Sequence, residues 1–170
     1  HLPWRAGGIL IFGGANGTGL ELVKALVATH EHVTVVAAGD DAGRAAAALG
    51  ATVVKGDLND PAALKSVFTS APFRAVVSVL AETHSSPSLD FAANKAVGDA
   101  AKDAGVPRFI LLSAVGAGDS AGALPWYVHL GDKILGRDDF ANVTRAEDYL
   151  RSLDLDLSVI RAGGLAGGAG

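Results

Sequence analysis

The chain has 170 residues, 49% of them hydrophobic and 19% charged, with a formal net charge of −4 and no cysteine. That size and balance suit a single domain around one continuous core. The negative charge leaves no basic footprint for nucleic acid, the lack of cysteine excludes disulfides, zinc–thiolate sites and thiol catalysis, and no apolar run reaches membrane-spanning length.

Residues 1–8 read as a lead-in, with Trp4 and Arg5 either packed on the first strand or frayed. The chain begins at His1 and contains no methionine. The expectation is either a removed leader or a start inside a longer chain. A soluble intracellular protein is expected, in the cytoplasm or, after leader removal, in an organelle matrix or stroma.

The first predicted strand, Ile9–Phe12, runs straight into Gly13, Gly14, Ala15, Asn16, Gly17, Thr18, Gly19 and Leu20. A helix follows from Gly17 to Thr29, with Leu20, Val23, Leu26 and Val27 at helical spacing. Strand, glycine turn and helix together suit a pyrophosphate. A turn without side chains admits the phosphates, and the helix N-terminus offers free N–H groups and a positive dipole end. The spacing is Gly13-x-x-Asn16-x-x-Gly19, not G-x-G-x-x-G. Asn16 is expected to replace a glycine because asparagine visits positive φ readily. The plain alternative is a strand-to-helix turn that binds nothing.

A second strand is predicted at Val33–Ala38, apolar throughout, as for a parallel strand covered on both faces. At its end, where an adenosine ribose would lie, Asp40 is a candidate for the 2′-OH and Arg44 for a 2′-phosphate. Asp41 reads as the N-cap of an alanine-rich helix over 42–49. The third strand is Thr52–Lys55. Asp57 and Leu58 follow on the edge where ligands bind in open α/β sheets, and Asp60 before Pro61 caps a helix over 61–70. The fourth strand is Ala75–Leu80, followed by Glu82 and His84, an acid–base pair or a plain solvated loop.

A long helix is predicted over Leu89–Ala104, stopped by Gly105 and Pro107. The fifth strand, Arg108–Leu112, ends at Ser113. A long loop, Ala114–Pro125, follows at the ligand edge, with Trp126 and Tyr127 expected in a small satellite core beneath it. Helix Asn142–Leu153 and strand Leu155–Arg161 close the pattern. Residues 162–170 read as a loop cut short, so a C-terminally truncated domain is expected. Five scattered histidines suggest no metal site. Strand and helix alternate without a break, which predicts an α/β fold: a doubly wound parallel sheet, order 3-2-1-4-5-6, with helices on both faces.

With these motifs placed, the chain resembles the atypical short-chain dehydrogenase/reductases of the NmrA-like, NAD(P)H-binding group, and is similar to their flavin/biliverdin-IXβ reductase branch. The matching stretches are 11–19, 54–60, 94–109, 111–120, 145–150 and 159–165. The resemblance implies a Rossmann fold and an NAD(P)(H) cofactor. It implies pyrophosphate on Gly13–Leu20, adenine beside Asp57 and Leu58, and nicotinamide near Val79, Leu80, Ala81, Ser113 and Ala114. Ser113 is the one candidate catalytic residue. It would donate a hydrogen bond to the acceptor or orient the carboxamide.

The chain also departs from the family. There is no Tyr-x-x-x-Lys pair, because Gly131 stands four residues after Tyr127 and Leu153 four after Tyr149. Val143 stands where a lysine often precedes the helix Glu147. Residues 37–39 lack the arginine that would hold a 2′-phosphate, which together with Asp40 favours NAD(H), whereas the resemblance favours NADP(H). Two functions remain open. One is a reductase passing hydride to a small planar acceptor, a flavin, quinone or tetrapyrrole, without a Tyr–Lys pair. The other is a non-catalytic nucleotide-binding sensor or an accessory subunit of a larger, organellar protein assembly.

Overall fold

The computed structural model describes residues 7–39, 41–80, 87–134 and 139–163. Six strands, β1 (Gly8–Phe12), β2 (Val33–Ala37), β3 (Thr52–Lys55), β4 (Phe73–Ser78), β5 (Arg108–Ala114) and β6 (Asp156–Ala162), form one sheet. All pair in parallel, in the order β3-β2-β1-β4-β5-β6 that the alternation predicts. The connecting helices are α1 (Gly17–Ala28), α2 (Arg44–Ala48), α3 (Pro61–Thr69), α4 (Pro87–Asp103), α5 (Trp126–Ile134) and α6 (Asp139–Ser152).

The central strand shows why a parallel strand reads as an unbroken apolar run. Successive side chains leave opposite faces of the sheet. Ile9 and Ile11 join Val23, Val35 and Ala46 on the α1–α2 side, while Leu10 and Phe12 join Leu64, Phe68, Val97, Phe109 and Leu150 on the α3–α4–α6 side. Both faces are covered, so each of these Val, Leu, Ile and Phe side chains contributes roughly 1.5–3 kcal/mol of burial.

The local expectations hold at the start of α3 and the end of α4, with two exceptions elsewhere. Asp60 accepts from the Ala62 N–H at 2.9 Å and Pro61 opens α3, as expected. Gly105, at φ +66, ends α4 with Gly105 N–H to Lys102 O at 3.0 Å and Val106 N–H to Ala101 O at 3.0 Å. Asp41, however, does not cap α2. The helix starts at Arg44 after Gly43, and the Asp41 carboxylate takes the Arg44 guanidinium instead. A Cβ on Gly43 would lie 2.3 Å from Val53 Cγ1, so this glycine lets α2 approach β3 closely.

The second exception is the expected satellite core. Residues 118–123 form a 3-10 turn, and α5 follows as a helix. Trp126 is 74% exposed and Tyr127 61% exposed, so neither is core. They meet edge to face, centroids 6.2 Å apart, on the outside of α5. Among the described residues no helix is long and apolar enough to cross a membrane.

Candidate functional site

The ligand edge of an open α/β sheet lies beyond the carboxyl ends of the strands, where strand order reverses. Here the reversal falls between β1 and β4. Val79 N–H donates to Phe12 O at 2.9 Å, which ties the segment after β4 to the end of β1. Gly13 sits on that junction at φ +84, and a Cβ there would lie 2.6 Å from Val79 O.

The glycines of the turn serve different ends. Gly17, at φ +51, and Gly13 take the left-handed conformations. Asn16 does not. It is extended, at φ −155, and acts as the N-cap position of α1. The expectation that asparagine stands there for its positive φ is therefore corrected, because the twist falls on Gly13 and Gly17. A Cβ on Gly14 would face Ile11 and Val35 side chains at 3.1 Å, so that position packs on the core. A Cβ on Gly19 would lie 1.9 Å from Gly13 O. Gly19 is thus needed for the helix to meet the turn, before any phosphate is considered.

The cradle fits an anion. Asn16 makes no side-chain capping bond, so the N–H groups of the first turn, which have no intrahelical acceptors, are left to solvent or a ligand. The contrast with α3, whose N-terminus Asp60 closes, is direct. Beside this turn opens a cleft of about 620 Å³ lined by Phe12, Gly13, Val36, Ala38, Lys55, Asp57, Leu58 and Leu80, among others. Gly13, Asp57, Leu58 and Leu80 are therefore brought to one cleft. Asp57 is held in its own turn, accepting from Asn59 N–H at 2.8 Å and Asn59 Nδ2 at 3.2 Å. Ala15, Thr18 and Leu20 lie on the turn and first turn of α1, and Val79 just past β4. Arg44 is engaged by Asp41 on the exposed surface. Asp40, Ala81, Glu82 and His84 lie outside the described residues.

Ser113 and Ala114 are the last residues of β5, one strand over. Ser113 is 3% exposed and donates its hydroxyl proton to Glu147 Oε1 at 2.6 Å. Glu147, on α6, is fully buried. Its Oε1 also accepts from Arg161 Nε at 3.0 Å, and its Oε2 from Arg161 Nη2 at 2.7 Å and Arg151 Nη2 at 2.9 Å. Arg161, on β6, continues to Asp119 in the 3-10 turn. Burial pushes the Glu147 carboxyl up, but hydrogen bonds from Arg161, Ser113 and Arg151 outweigh it and hold the group below the ordinary carboxylate range. Hydrogen bonds to Glu147 and Asp119 push the Arg161 guanidinium up in turn.

This changes the role open to Ser113. With its proton committed to an ionised carboxylate, the hydroxyl can accept a hydrogen bond but not donate one. Gly118 makes room for the cluster: at φ +54, a Cβ there would lie 2.6 Å from Arg161 Nη2 and 3.0 Å from Glu147 Oε2. The sequence carried one overlooked signal of the cluster. Glu147 falls on the stripe of Val143, Ala146 and Leu150, all buried, where a carboxylate needs a cationic partner.

A Tyr and a Lys do meet elsewhere. Tyr149 OH donates to Asp99 Oδ1 at 2.6 Å, and Lys95 Nζ lies 2.7 Å from Asp99 Oδ2 and 4.6 Å from the Tyr149 ring centroid. Lys95 and Asp99 line a separate groove between α3 and α4, away from the glycine turn. Ser78 Oγ, near the end of β4, donates to Asn94 Oδ1 of α4 at 2.5 Å and fixes that helix behind the ligand edge.

The model of a family described as NAD(P)H-binding matches residues 13–170. The chain is similar to the solved structure of ChuY, an anaerobillin reductase from Escherichia coli O157:H7, with 27% identity and a TM-score of 0.79 over 95% of this chain and 75% of that one. ChuY from E. coli strain CFT073 gives 26% identity and 0.74 over 96% and 75%. Triphenylmethane reductase from Citrobacter sp., complexed with NADP(H), shares the fold at 17% identity and 0.69, over 91% of this chain and 48% of that one. A search of curated protein sequences gives no match.

Proposed function

The chain belongs to the NAD(P)H-binding family, and from that premise we propose that it is a reductase that passes hydride from NAD(P)H to a small planar acceptor: a flavin, quinone or tetrapyrrole. The observation that carries this reading is the glycine turn at the strand-order reversal, which leaves the N-terminus of α1 uncapped and lines, through Gly13, a cleft of about 620 Å³. The likeness to ChuY, described as an anaerobillin reductase, supports the reaction class.

In this reading Gly13, Gly17 and the first turn of α1 hold the pyrophosphate. The adenosine lies along Phe12, Val36, Asp57 and Leu58, and the nicotinamide end reaches towards Val79, Leu80, Ser113 and Ala114. The nucleotide supplies the hydride; the protein supplies position and a pocket that excludes water. Glu147 keeps the Ser113 oxygen oriented as an acceptor, suited to a carboxamide N–H. No described side chain on this edge is arranged as a phenol–lysine proton donor, and acceptors of this class can take their proton from solvent or a weak donor.

Ser113→Ala is expected to lower kcat by about tenfold, or about 1.4 kcal/mol. The buried carboxylate keeps its two arginines, so the fold is retained. NAD(P)H oxidation with FMN, biliverdin and a benzoquinone is the assay, and an unchanged kcat would remove Ser113 from the site. Wild-type rates at background with all three acceptors would overturn the reductase itself.

A second reading is favoured by one observation. Trp126, Tyr127 and Leu130 are exposed together on α5, at 74%, 61% and 44%, and exposed aromatics suit the core of a protein interface. An accessory subunit that retains its nucleotide would be recovered by native mass spectrometry in a larger assembly and show no turnover.

A further inference from the structure

The end of β2, where nucleotide-binding sheets usually discriminate the ribose 2′ position, is bare in this chain. Ala37, Ala38 and Gly39 carry no hydrogen-bonding side chain, and a Cβ on Gly39 would meet nothing within 4 Å. Space is therefore open beside the strand. Across the β2–β3 register, Ala37 lies opposite Lys55, the last residue of β3. Lys55 lines the same cleft as Gly13, Val36 and Ala38. Its side chain is exposed and, among the described residues, makes no hydrogen bond or ion pair.

Two other described charges near this edge are committed. Arg44 is paired with Asp41, and Asp57 is turned into its own loop by Asn59. An ammonium on a four-carbon stem, carried by a residue that lines this cleft beside the open end of β2, suits a phosphate monoester.

We propose that Lys55 receives the 2′-phosphate of an NADP-type nucleotide, and that it makes this chain prefer NADP(H) to NAD(H). The assignment rests on the nucleotide site proposed above. It reverses the preference that the bare 37–39 segment and Asp40 suggest on their own, because the cation comes from the neighbouring strand.

The test is calorimetric titration of 2′,5′-ADP and 5′-ADP, and of NADPH and NADH, against wild type, Lys55→Gln, Lys55→Arg and Arg44→Gln. Lys55 is exposed, so all variants are expected to fold. Wild type should bind 2′,5′-ADP roughly tenfold or more tightly than 5′-ADP, the range for a hydrogen bond to a charged group. Lys55→Gln should erase that ratio with 5′-ADP affinity unchanged, while Lys55→Arg and Arg44→Gln keep it. Raising the salt should narrow the wild-type ratio and leave the Lys55→Gln ratio flat. Binding of both nucleotides without a 2′-phosphate preference, or a preference that survives Lys55→Gln, would overturn the Lys55 assignment alone. No binding of any of the four ligands would overturn the nucleotide site on which it rests, and the assignment with it.

Discussion

Gly19→Val is expected to abolish nucleotide binding and to unfold the start of α1 in the same step. A Cβ at this position would lie 1.9 Å from Gly13 O, 2.8 Å from Gly13 C and 3.0 Å from Gly14 Cα. All three are backbone atoms of the turn itself, so no flexible side chain can move aside. Valine adds two methyls to that overlap and restricts χ1. The destabilisation should reach or exceed the upper end of the roughly 1–3 kcal/mol of ordinary overpacking. Urea denaturation measures it, with Gly39→Ala as the control. Gly39 has open space, so its variant should stay within about 0.5 kcal/mol of wild type. From the turn motif alone one would expect Gly19→Val to lose the ligand and keep the fold. The contact with Gly13 removes that separation. A variant with a wild-type midpoint would show that α1 can shift away from the turn.

Glu147→Ala is the second large effect. It removes the carboxylate that joins Ser113, Arg161 and Arg151 and leaves a void among buried residues. Removing one partner of a buried ion pair costs roughly 3–5 kcal/mol. The lower end applies here, because Arg151 and Arg161 keep 46% and 19% of their side-chain surface and regain water in part.

The pH dependence follows from the direction of the shift. Glu147 is ionised more readily in the fold than in the unfolded chain. Its contribution is therefore complete above the ordinary glutamate value of 4.5 and is lost as the pH falls through the lower folded value. The gap in denaturation midpoint between wild type and Glu147→Gln should be widest near neutrality and should close in acid. A gap that stays constant down to pH values well below 4.5 would mean that Glu147 is not held as a carboxylate. Ser113→Ala should leave the acid limb in place, since both arginines still hold the charge.

The elements that the chain announces are those with strong local chemistry. Asp60 with Pro61, and Gly105 before Pro107, fix helix ends through bonds that span only a few residues. Where local signals are weak or doubled, other contacts prevail. Asp41 looks like a cap, yet an arginine three residues on takes its carboxylate. Trp126 and Tyr127 look like core by hydrophobicity, but α5 turns them outwards. The strand predicted at Ala75–Leu80 is observed at Phe73–Ser78, because pairing with β1 already begins at Phe73 beside Gly8.

Sheet order, the alternation of strand and helix and the position of the glycine turn are legible in the chain, since hydrophobic runs, helical periodicity and glycine spacing act over neighbouring residues. What the glycines and polar groups do depends on contacts between elements far apart in the chain. The positive φ falls on Gly13 and Gly17 because β1, the segment after β4 and α1 converge there. Lys55 comes beside Ala37 at the end of β2 through the β2–β3 register. Ser113 and Arg161 find Glu147 across 34 and 14 residues of chain. Such meetings depend on how α6 packs over β5 and β6, a long-range outcome that no local spacing in the chain records.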